Sequence, residues 1–242
     1  MESKISELLK NGIIRESHSA WRHCPVIINK SDDSFRMYIN YKPVNAVTVE
    51  DAFPIPTIDE LVNQCAGMKV FSSIDFSQFY HQLPLHASDI HKTAFAVNGR
   101  LYEYVRLPFG LKNAVAYCTR IMKSLLCNMK GVIVYIDDVL ICSETMEAHK
   151  KLLTEVFQKI EKAGLSLNKK KCKFFAKEIS FLGFHISNGE IKPDEKRIAP
   201  LQNWPAPRNR KARETLETLI GFINYYINFV NILHNYLHHC IV

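Results

Sequence analysis

The stretch Gly131-Val132-Ile133-Val134-Tyr135-Ile136-Asp137-Asp138-Val139-Leu140-Ile141-Cys142 decides the fold of this chain. Two short apolar runs flank a tight polar segment, which is the pattern of a β-hairpin whose tip carries adjacent carboxylates. Adjacent carboxylates repel each other, so their pairing indicates a cation against them, and a divalent metal is the usual one. The alternative is an ordinary solvated turn, since Asp is common in turns.

A third carboxylate, Asp75, lies just before the end of a second predicted strand, residues 70–76. If that strand pairs beside the hairpin, Asp75 and Asp137 converge on one point from separate elements. Magnesium takes oxygen ligands and is often held by one or two carboxylates plus substrate phosphates. The arrangement therefore predicts a two-metal site for phosphoryl transfer, which neither motif would predict alone.

The rest of the chain alternates strands and helices. Ile5, Leu8 and Leu9 predict a short helix that ends at Gly12. Residues 26–30 and 35–41 predict a hairpin around 31–34, where the Asp32-Asp33 pair reads as an ordinary turn. Further helices are predicted over 57–65, over 113–130, and from a cap at Ser143 or Thr145 to Gly164. This order favours an antiparallel α+β layer.

Composition limits the class of protein. The chain has 242 residues, 47% of them hydrophobic, enough for one large domain or two subdomains. With no apolar run near 18 residues and no basic-then-apolar start, we expect neither a membrane span nor a secretory signal. Seven scattered cysteines without a Cys-x-x-Cys pair indicate reduced thiols in an intracellular protein.

Positive charge is concentrated late in the chain. The net charge is +7, and residues 162–213 hold thirteen Lys and Arg residues against four acidic ones. One cluster surrounds Lys169, Lys170 and Lys171. A solvated basic face is the simpler interpretation, but beside a metal-carboxylate centre we favour a groove that follows a nucleic-acid backbone.

Several motifs together resemble a known family. They are Tyr135–Asp138, Ile74-Asp75-Phe76 leading to Tyr80, residues 107–114 (Leu-Pro-Phe-Gly-Leu-Lys-Asn-Ala), residues 35–41, residues 181–184, residues 203–207 and Asn224-Tyr225-Tyr226. In this order and spacing they are similar to the reverse transcriptase domain of gypsy-type LTR retrotransposons and retroviruses. The resemblance covers nearly the whole chain.

The resemblance implies an α+β right-hand polymerase with fingers and palm subdomains and an antiparallel palm sheet packed on helices. Fingers would span approximately 1–66 and 84–113, and palm approximately 67–83 and 114–192. The start of the thumb or connection would span approximately 193–242.

The implied activity is RNA-directed DNA polymerisation within a retrotransposon Pol protein, using two Mg²⁺ ions, with Mn²⁺ as an alternative. Asp75 and Asp137 would ligate both ions, Asp138 would support them, and the backbone carbonyl of Phe76 would complete a shell. The partners would be an RNA or DNA primer-template and deoxynucleoside triphosphates, with self-association or contact with other Pol domains also open. We expect the cytoplasm or a virus-like particle, with the nucleus as an alternative.

By matched motif position, Arg36 and its partner Lys30 would grip the incoming triphosphate; the less favoured alternative is a pair of exposed basic side chains on a fingers hairpin. Tyr80 would exclude a ribose 2′-hydroxyl, or else is a core tyrosine. Phe109 would contact the nucleotide sugar. Leu182 and Gly183 would hold the primer 3′ end.

Some residues depart from the family pattern. Val115 replaces the usual proline, Cys118 and Thr119 replace a core aromatic and a template-side amide, and Phe79 replaces a small residue. The chain also opens partway into the expected fingers, and no RNase H, protease or integrase region follows its last motif. The rival interpretations are a decayed fragment that only binds nucleic acid, and template-independent nucleotidyl transfer.

Histidines add little to this interpretation. His234, His238 and Cys240 have a spacing that zinc ligands use, but no fourth ligand is apparent. His81, His86 and His91 recur every five residues, which matches neither strand nor helix periodicity, so we assign them no site.

Overall fold

The computed structural model describes residues 2–29, 35–126, 128–187, 190–202 and 225–226. Its helices are α1 (Glu2–Lys10), α2 (Lys42–Val47), α3 (Ile58–Asn63), α4 (Phe79–Gln82), α5 (Ala114–Leu126), α6 (Met146–Lys162) and α7 (Glu195–Gln202), with a 3-10 helix at Ile90–Thr93. The strands are β1 (Ile14–Glu16), β2 (Pro25–Asn29), β3 (Phe35–Ile39), β4 (Val70–Ile74), β5 (Phe95–Val97), β6 (Arg100–Tyr104), β7 (Val132–Tyr135), β8 (Asp138–Ser143), β9 (Lys173–Ala176), β10 (Glu178–Phe181), β11 (Phe184–Ser187) and β12 (Glu190–Pro193).

Within the described residues, the strands form four sheets, and every ladder between them is antiparallel. The central sheet has the order β7-β8-β4-β9, and two three-stranded sheets have the orders β1-β6-β5 and β10-β11-β12. The fourth is the β2–β3 hairpin. The mixture of helices with antiparallel sheets confirms the α+β class.

Three apolar clusters make up the core of the described chain. One packs α5 and α6 against β4 and β8, and includes Phe79, Met122 and Val156. A second joins α1 with β1, β3, β5 and β6. The third lies between α3, β4, β8, β10 and β11. Burial of β8 between two clusters explains its continuous apolar run, Val139–Cys142, whereas β4 carries Ser72 and Ser73 between its apolar residues. The boundaries of fingers, palm and thumb stay predictions.

Local sequence signals place most helices where they were expected. Thr57 and Glu60 form a capping box at the start of α3, and the Thr145 side chain accepts from the Ala148 N–H at the start of α6. The helix predicted over 113–130 is shorter, ending at Leu126. Asn128 (φ +62°) and Gly131 (φ +87°) turn the chain into β7 instead. None of the described helices is long and apolar enough to cross a membrane.

Candidate active site

Asp75 follows β4, the strand that lies between β8 and β9. The strand was predicted to continue to Phe76, but it ends at Ile74 because the backbone of Asp75 bonds elsewhere. Its N–H donates to Cys172 Sγ (3.4 Å), and its carbonyl accepts from the Asn168 N–H (2.8 Å). These two bonds leave the Asp75 carboxylate 34% exposed beyond the end of a buried strand. Phe76 itself is buried and bridges to Leu167.

The β7–β8 hairpin has a two-residue tip, Ile136 and Asp137, because Tyr135 pairs with Asp138. Adjacent carboxylates on the tip were expected, but Asp138 is the first residue of β8. Ile136 has a φ of +58°, which is unfavourable for a β-branched residue. Strain of this kind amounts to about 1–3 kcal/mol and is concentrated at functional sites. The strained turn fixes the direction in which Asp137 leaves the strand.

Strand pairing brings the acids together. Ile74 pairs with Val139, so Asp75 and Asp138 both lie next to the last residue pair of the β4–β8 ladder. Both line a cavity of about 240 Å³. Burial raises the pKa of Asp137, and the charge of Asp75 raises it further. Burial also raises the pKa of Asp138, with contributions from Asp137 and then Asp75. The pKa shifts of Asp137 and Asp138 therefore both include a contribution from the charge of Asp75.

Within the described residues, no three His, Cys, Asp or Glu side chains form a metal-ligand cluster by themselves. Magnesium does not require one, because it commonly keeps several waters and binds one or two carboxylates plus phosphates. Carboxylates with pKa values raised by burial and mutual repulsion are stabilised in their charged form by a cation. The donor set thus fits a hard divalent ion.

Lys171 also belongs to this site. Its Nζ lies 3.7 Å from Asp75 Oδ2, and it lines the same cavity as Asp75 and Asp138. The sequence predicted it as a backbone contact together with Lys169 and Lys170, which are exposed. Neither its ion pair nor the approach of Cys172 had a signal in the sequence, since both depend on how residues 167–172 turn beside β4.

Tyr80 and Phe109, which the sequence predicted as nucleotide contacts, lie next to each other. Their ring centroids are 4.7 Å apart, and Phe109 remains 45% exposed. Burial raises the pKa of Tyr80 to about 12, and the charge of Asp137 contributes. His81 contacts Phe109 edge-on at 5.5 Å. The histidine was assigned no site from its spacing, but its ring forms one side of this aromatic group.

The loop that carries Phe109 is held by hydrogen bonds to the side-chain amide of Asn45. Asn45 Nδ2 donates to the Gly110 carbonyl (2.8 Å), and Asn45 Oδ1 accepts from the Lys112 N–H (2.9 Å). Gly110 has a φ of +93°, which suits glycine. The Leu107–Ala114 motif therefore has a defined conformation next to α5.

The departures from the family pattern are accommodated. Helix α5 begins at Ala114 without the usual proline, and Thr119 Oγ1 donates to the Val115 carbonyl (2.8 Å). Cys118 is fully buried in the core, and so is Phe79. The changes that favoured a decayed fragment thus leave the helix formed.

The structure describes some of the remaining predicted site residues fully, one only in its backbone, and others not at all. Leu182 and Gly183 form the β10–β11 turn, and Leu182 lines the cavity of the acids. Arg36 pairs with Ile28 in the β2–β3 hairpin. The Arg36 side chain lies outside the described part of the chain, as do Lys30, Asp32, Asp33, His234, His238 and Cys240 in full.

Comparisons with known proteins agree with this geometry. The family model described as reverse transcriptase (RNA-dependent DNA polymerase) matches residues 28–186. The chain is 33% identical, over 95% of its length, to the retrovirus-related Pol polyprotein from transposon 297 of Drosophila melanogaster. It is 34% identical, again over 95%, to the transposon Tf2-3 polyprotein of Schizosaccharomyces pombe. It spans only 22% and 17% of those two relatives.

Solved structures of foamy viral protease-reverse transcriptase are similar in fold. The dRH form in complex with double-stranded DNA has a TM-score of 0.85 at 27% identity, covering 97% of this chain and 42% of that one. The complex with an RNA/DNA hybrid has a TM-score of 0.83 at 27% identity, covering 97% and 32%.

Proposed function

Because the chain belongs to the reverse transcriptase (RNA-dependent DNA polymerase) family, we propose that it extends a primer on an RNA or DNA template by nucleotidyl transfer. The observation that carries the proposal is the convergence of Asp75 with Asp137 and Asp138 from two strands. The natural setting would be a retrotransposon Pol protein, of which this chain forms one part.

The acids would hold two Mg²⁺ ions, or Mn²⁺ in their place. When bound, such ions activate the primer 3′-hydroxyl and neutralise the leaving pyrophosphate. Asp75 and Asp137 would ligate both ions, and Asp138 and the Phe76 carbonyl would complete the set. The raised pKa values of Asp137 and Asp138 support this role, since the repulsion between the carboxylates is relieved once a cation is present.

The aromatic group would orient the deoxynucleoside triphosphate. The exposed face of Phe109 would contact the sugar, and Tyr80 would fill the space that a 2′-hydroxyl needs. Arg36 and Lys30 would bind the phosphates, because a guanidinium spans two phosphate oxygens and an ammonium supplies a point charge.

Primer and template would cross the central sheet at the strand ends that hold the acids. Leu182 and Gly183 would contact the primer 3′ end, and Lys169, Lys170 and Lys171 would contact the backbone. The foamy viral relatives bind double-stranded DNA and an RNA/DNA hybrid, which supports the same partners for this chain. The Lys171–Asp75 pair supports a position for Lys171 close to the reacting phosphates.

Substitution of Asp137 by Asn tests the proposal. The change keeps the size of the side chain but removes the ligand charge, so primer extension on an RNA template should fall about 10³-fold, equivalent to about 4 kcal/mol. Asp89→Asn is the matched control, since it removes one charge from a half-exposed acid whose ion pair, among the contacts the structure describes, is with Lys92.

Extension by Asp137→Asn within a few-fold of the parent would overturn the assignment of the acids. A parent chain that binds primer-template but never extends it would favour the nucleic-acid-binding fragment instead. Extension that proceeds equally without a template would favour template-independent transfer.

A further inference from the structure

The β10–β11 turn has an unusual backbone. Leu182 has a φ of +48° and Gly183 a φ of +84°, so two successive residues adopt the left-handed region. Leu182 lines the cavity that contains Asp75 and Asp138. The conformation of this turn therefore determines what lies opposite the acids.

Two tyrosines from far along the chain bind the carbonyls of this turn. The Tyr225 hydroxyl donates to the Leu182 carbonyl, and the Tyr226 hydroxyl donates to the Gly183 carbonyl at 2.8 Å. The Gly183 carbonyl also accepts from the Asp194 N–H at 2.9 Å. Successive carbonyls of the turn are thus each fixed by a donor that lies 43 residues away.

The rings of the two tyrosines also pack against each other, and the Tyr226 ring packs against Phe184. Tyr226 is 1% exposed, and its ring centroid lies 5.2 Å from that of Phe184 and 4.7 Å from that of Tyr225. A Cβ on Gly183 would lie only 2.7 Å from the Tyr226 hydroxyl oxygen. Because a phenylalanine would fill the same space, the hydroxyls are explained by their hydrogen bonds. Both bind a carbonyl of the turn, and the Tyr226 hydroxyl also bonds the Arg197 side chain.

We propose that Tyr225 and Tyr226 are positioning residues that hold the Leu182–Gly183 turn, and with it the primer 3′ end, in line with Asp75. The proposal rests on the proposed function, since it assigns the turn to the primer terminus. The hydroxyls act through the turn and touch neither nucleotide nor metal. Their loss should therefore slow the chemical step more than it weakens binding.

The test uses Tyr225→Phe, Tyr226→Phe and the double variant, each of which removes only oxygen atoms. Single-turnover extension should slow about tenfold in each single variant and more in the double variant. The dissociation constant of the primer-template should stay close to that of the parent, and the melting temperature should fall no further than in a control that loses a comparable buried hydrogen bond. Tyr41→Phe is the matched control, because Tyr41 is also buried and its hydroxyl donates to a backbone carbonyl, that of Thr93 (3.1 Å).

Parental extension rates in the double variant would overturn the proposal. So would a slower rate explained wholly by weaker binding or by a lower melting temperature. If the parent itself fails to extend primers, the proposed activity is wrong, and a photocrosslink then decides the positioning role separately. A primer ending in 4-thiothymidine should crosslink to residues 181–184 of the parent less efficiently after Tyr→Phe, and equal yields would refute the role of the hydroxyls.

Discussion

At the scale of single residues, Tyr80 is the side chain whose role is most open to measurement. Its ring packs on the exposed Phe109 and lies near enough to Asp137 for that charge to raise its pKa. If Tyr80 excludes a 2′-hydroxyl, Tyr80→Ala should lower discrimination against ribonucleotides at least about tenfold. The measurement is the ratio of kcat/KM for deoxynucleotides and ribonucleotides. Tyr80→Phe keeps the ring and should keep the ratio, whereas an unchanged ratio in Tyr80→Ala would make Tyr80 a core residue.

A residue of the site could be predicted from the sequence only where its immediate neighbours made it stand out. Asp75 and Asp137 were found because a carboxylate after a buried strand and one on a hairpin tip both stand out from apolar neighbours. Lys171 was not assigned to the acid site, and His81 was not assigned to the aromatic group of Tyr80 and Phe109. The approach of Lys171 to Asp75 depends on the Asn168 N–H that binds the Asp75 carbonyl, and no sequence period encodes that contact.

At the scale of elements, a buried polar network joins α6 to the central sheet. His149 Nε2 bonds Ser72 Oγ on β4 (2.7 Å), and His149 Nδ1 bonds Ser143 Oγ on β8 (3.2 Å). Ser72 Oγ also accepts from the Phe175 N–H on β9 (3.1 Å). The apolar periodicity of α6 was readable from the sequence, but the bond from His149 to β4 was not, because it joins residues far apart in sequence. The bond from Ser72 to β9 was hidden as well, since the β4–β9 register contains an irregularity.

This network predicts how stability depends on pH. Burial lowers the pKa of His149 below its ordinary value of 6.5, so the unfolded chain takes up the proton first as pH falls. The contribution of the neutral His149 is thus fully present above pH 6.5 and is lost on acidification below it. His149→Gln should remove that loss and destabilise the fold by about 1–3 kcal/mol at neutral pH.

Urea unfolding between about pH 5 and pH 8 measures both effects. The difference between parent and His149→Gln should shrink as the pH falls below 6.5. His86→Gln, at an exposed histidine, is the control and should follow the parent profile. A His149→Gln profile parallel to that of the parent would show that the network does not titrate.

At the scale of the whole molecule, the fold class and two local hairpins followed from apolar runs and turn signals, whereas the assembly of three apolar clusters did not. Hairpins such as β7–β8 are local, so their register follows from a two-residue turn. The order β7-β8-β4-β9 joins strands that are far apart in sequence, and periodicity carries no information about such pairs. The positive charge, by contrast, could be located without the structure, because the Lys and Arg residues concentrated in 162–213 are visible in the sequence itself.

That concentration gives a prediction about the whole binding surface. Lys169 and Lys170 are exposed beside Lys171, whose ammonium lies near Asp75. If they follow a phosphate backbone, their joint replacement by Ala should weaken primer-template binding to a similar extent for all sequences. It should also reduce the slope of log K against log salt by about two units on duplex, one for each contact. Lys171 is left intact, so that an effect on the acids is not mistaken for one on the backbone.

Lys150 and Lys151 supply the matched control, since they are two adjacent exposed lysines on α6. Their replacement by Ala changes the net charge by the same amount, so long-range attraction falls equally in both double variants. Only direct phosphate contacts release counterions, and only the Lys169 and Lys170 pair should therefore change the slope. Equal slopes in both variants and the parent would mean that Lys169 and Lys170 are merely solvated, and that the nucleic acid lies on another face of the molecule.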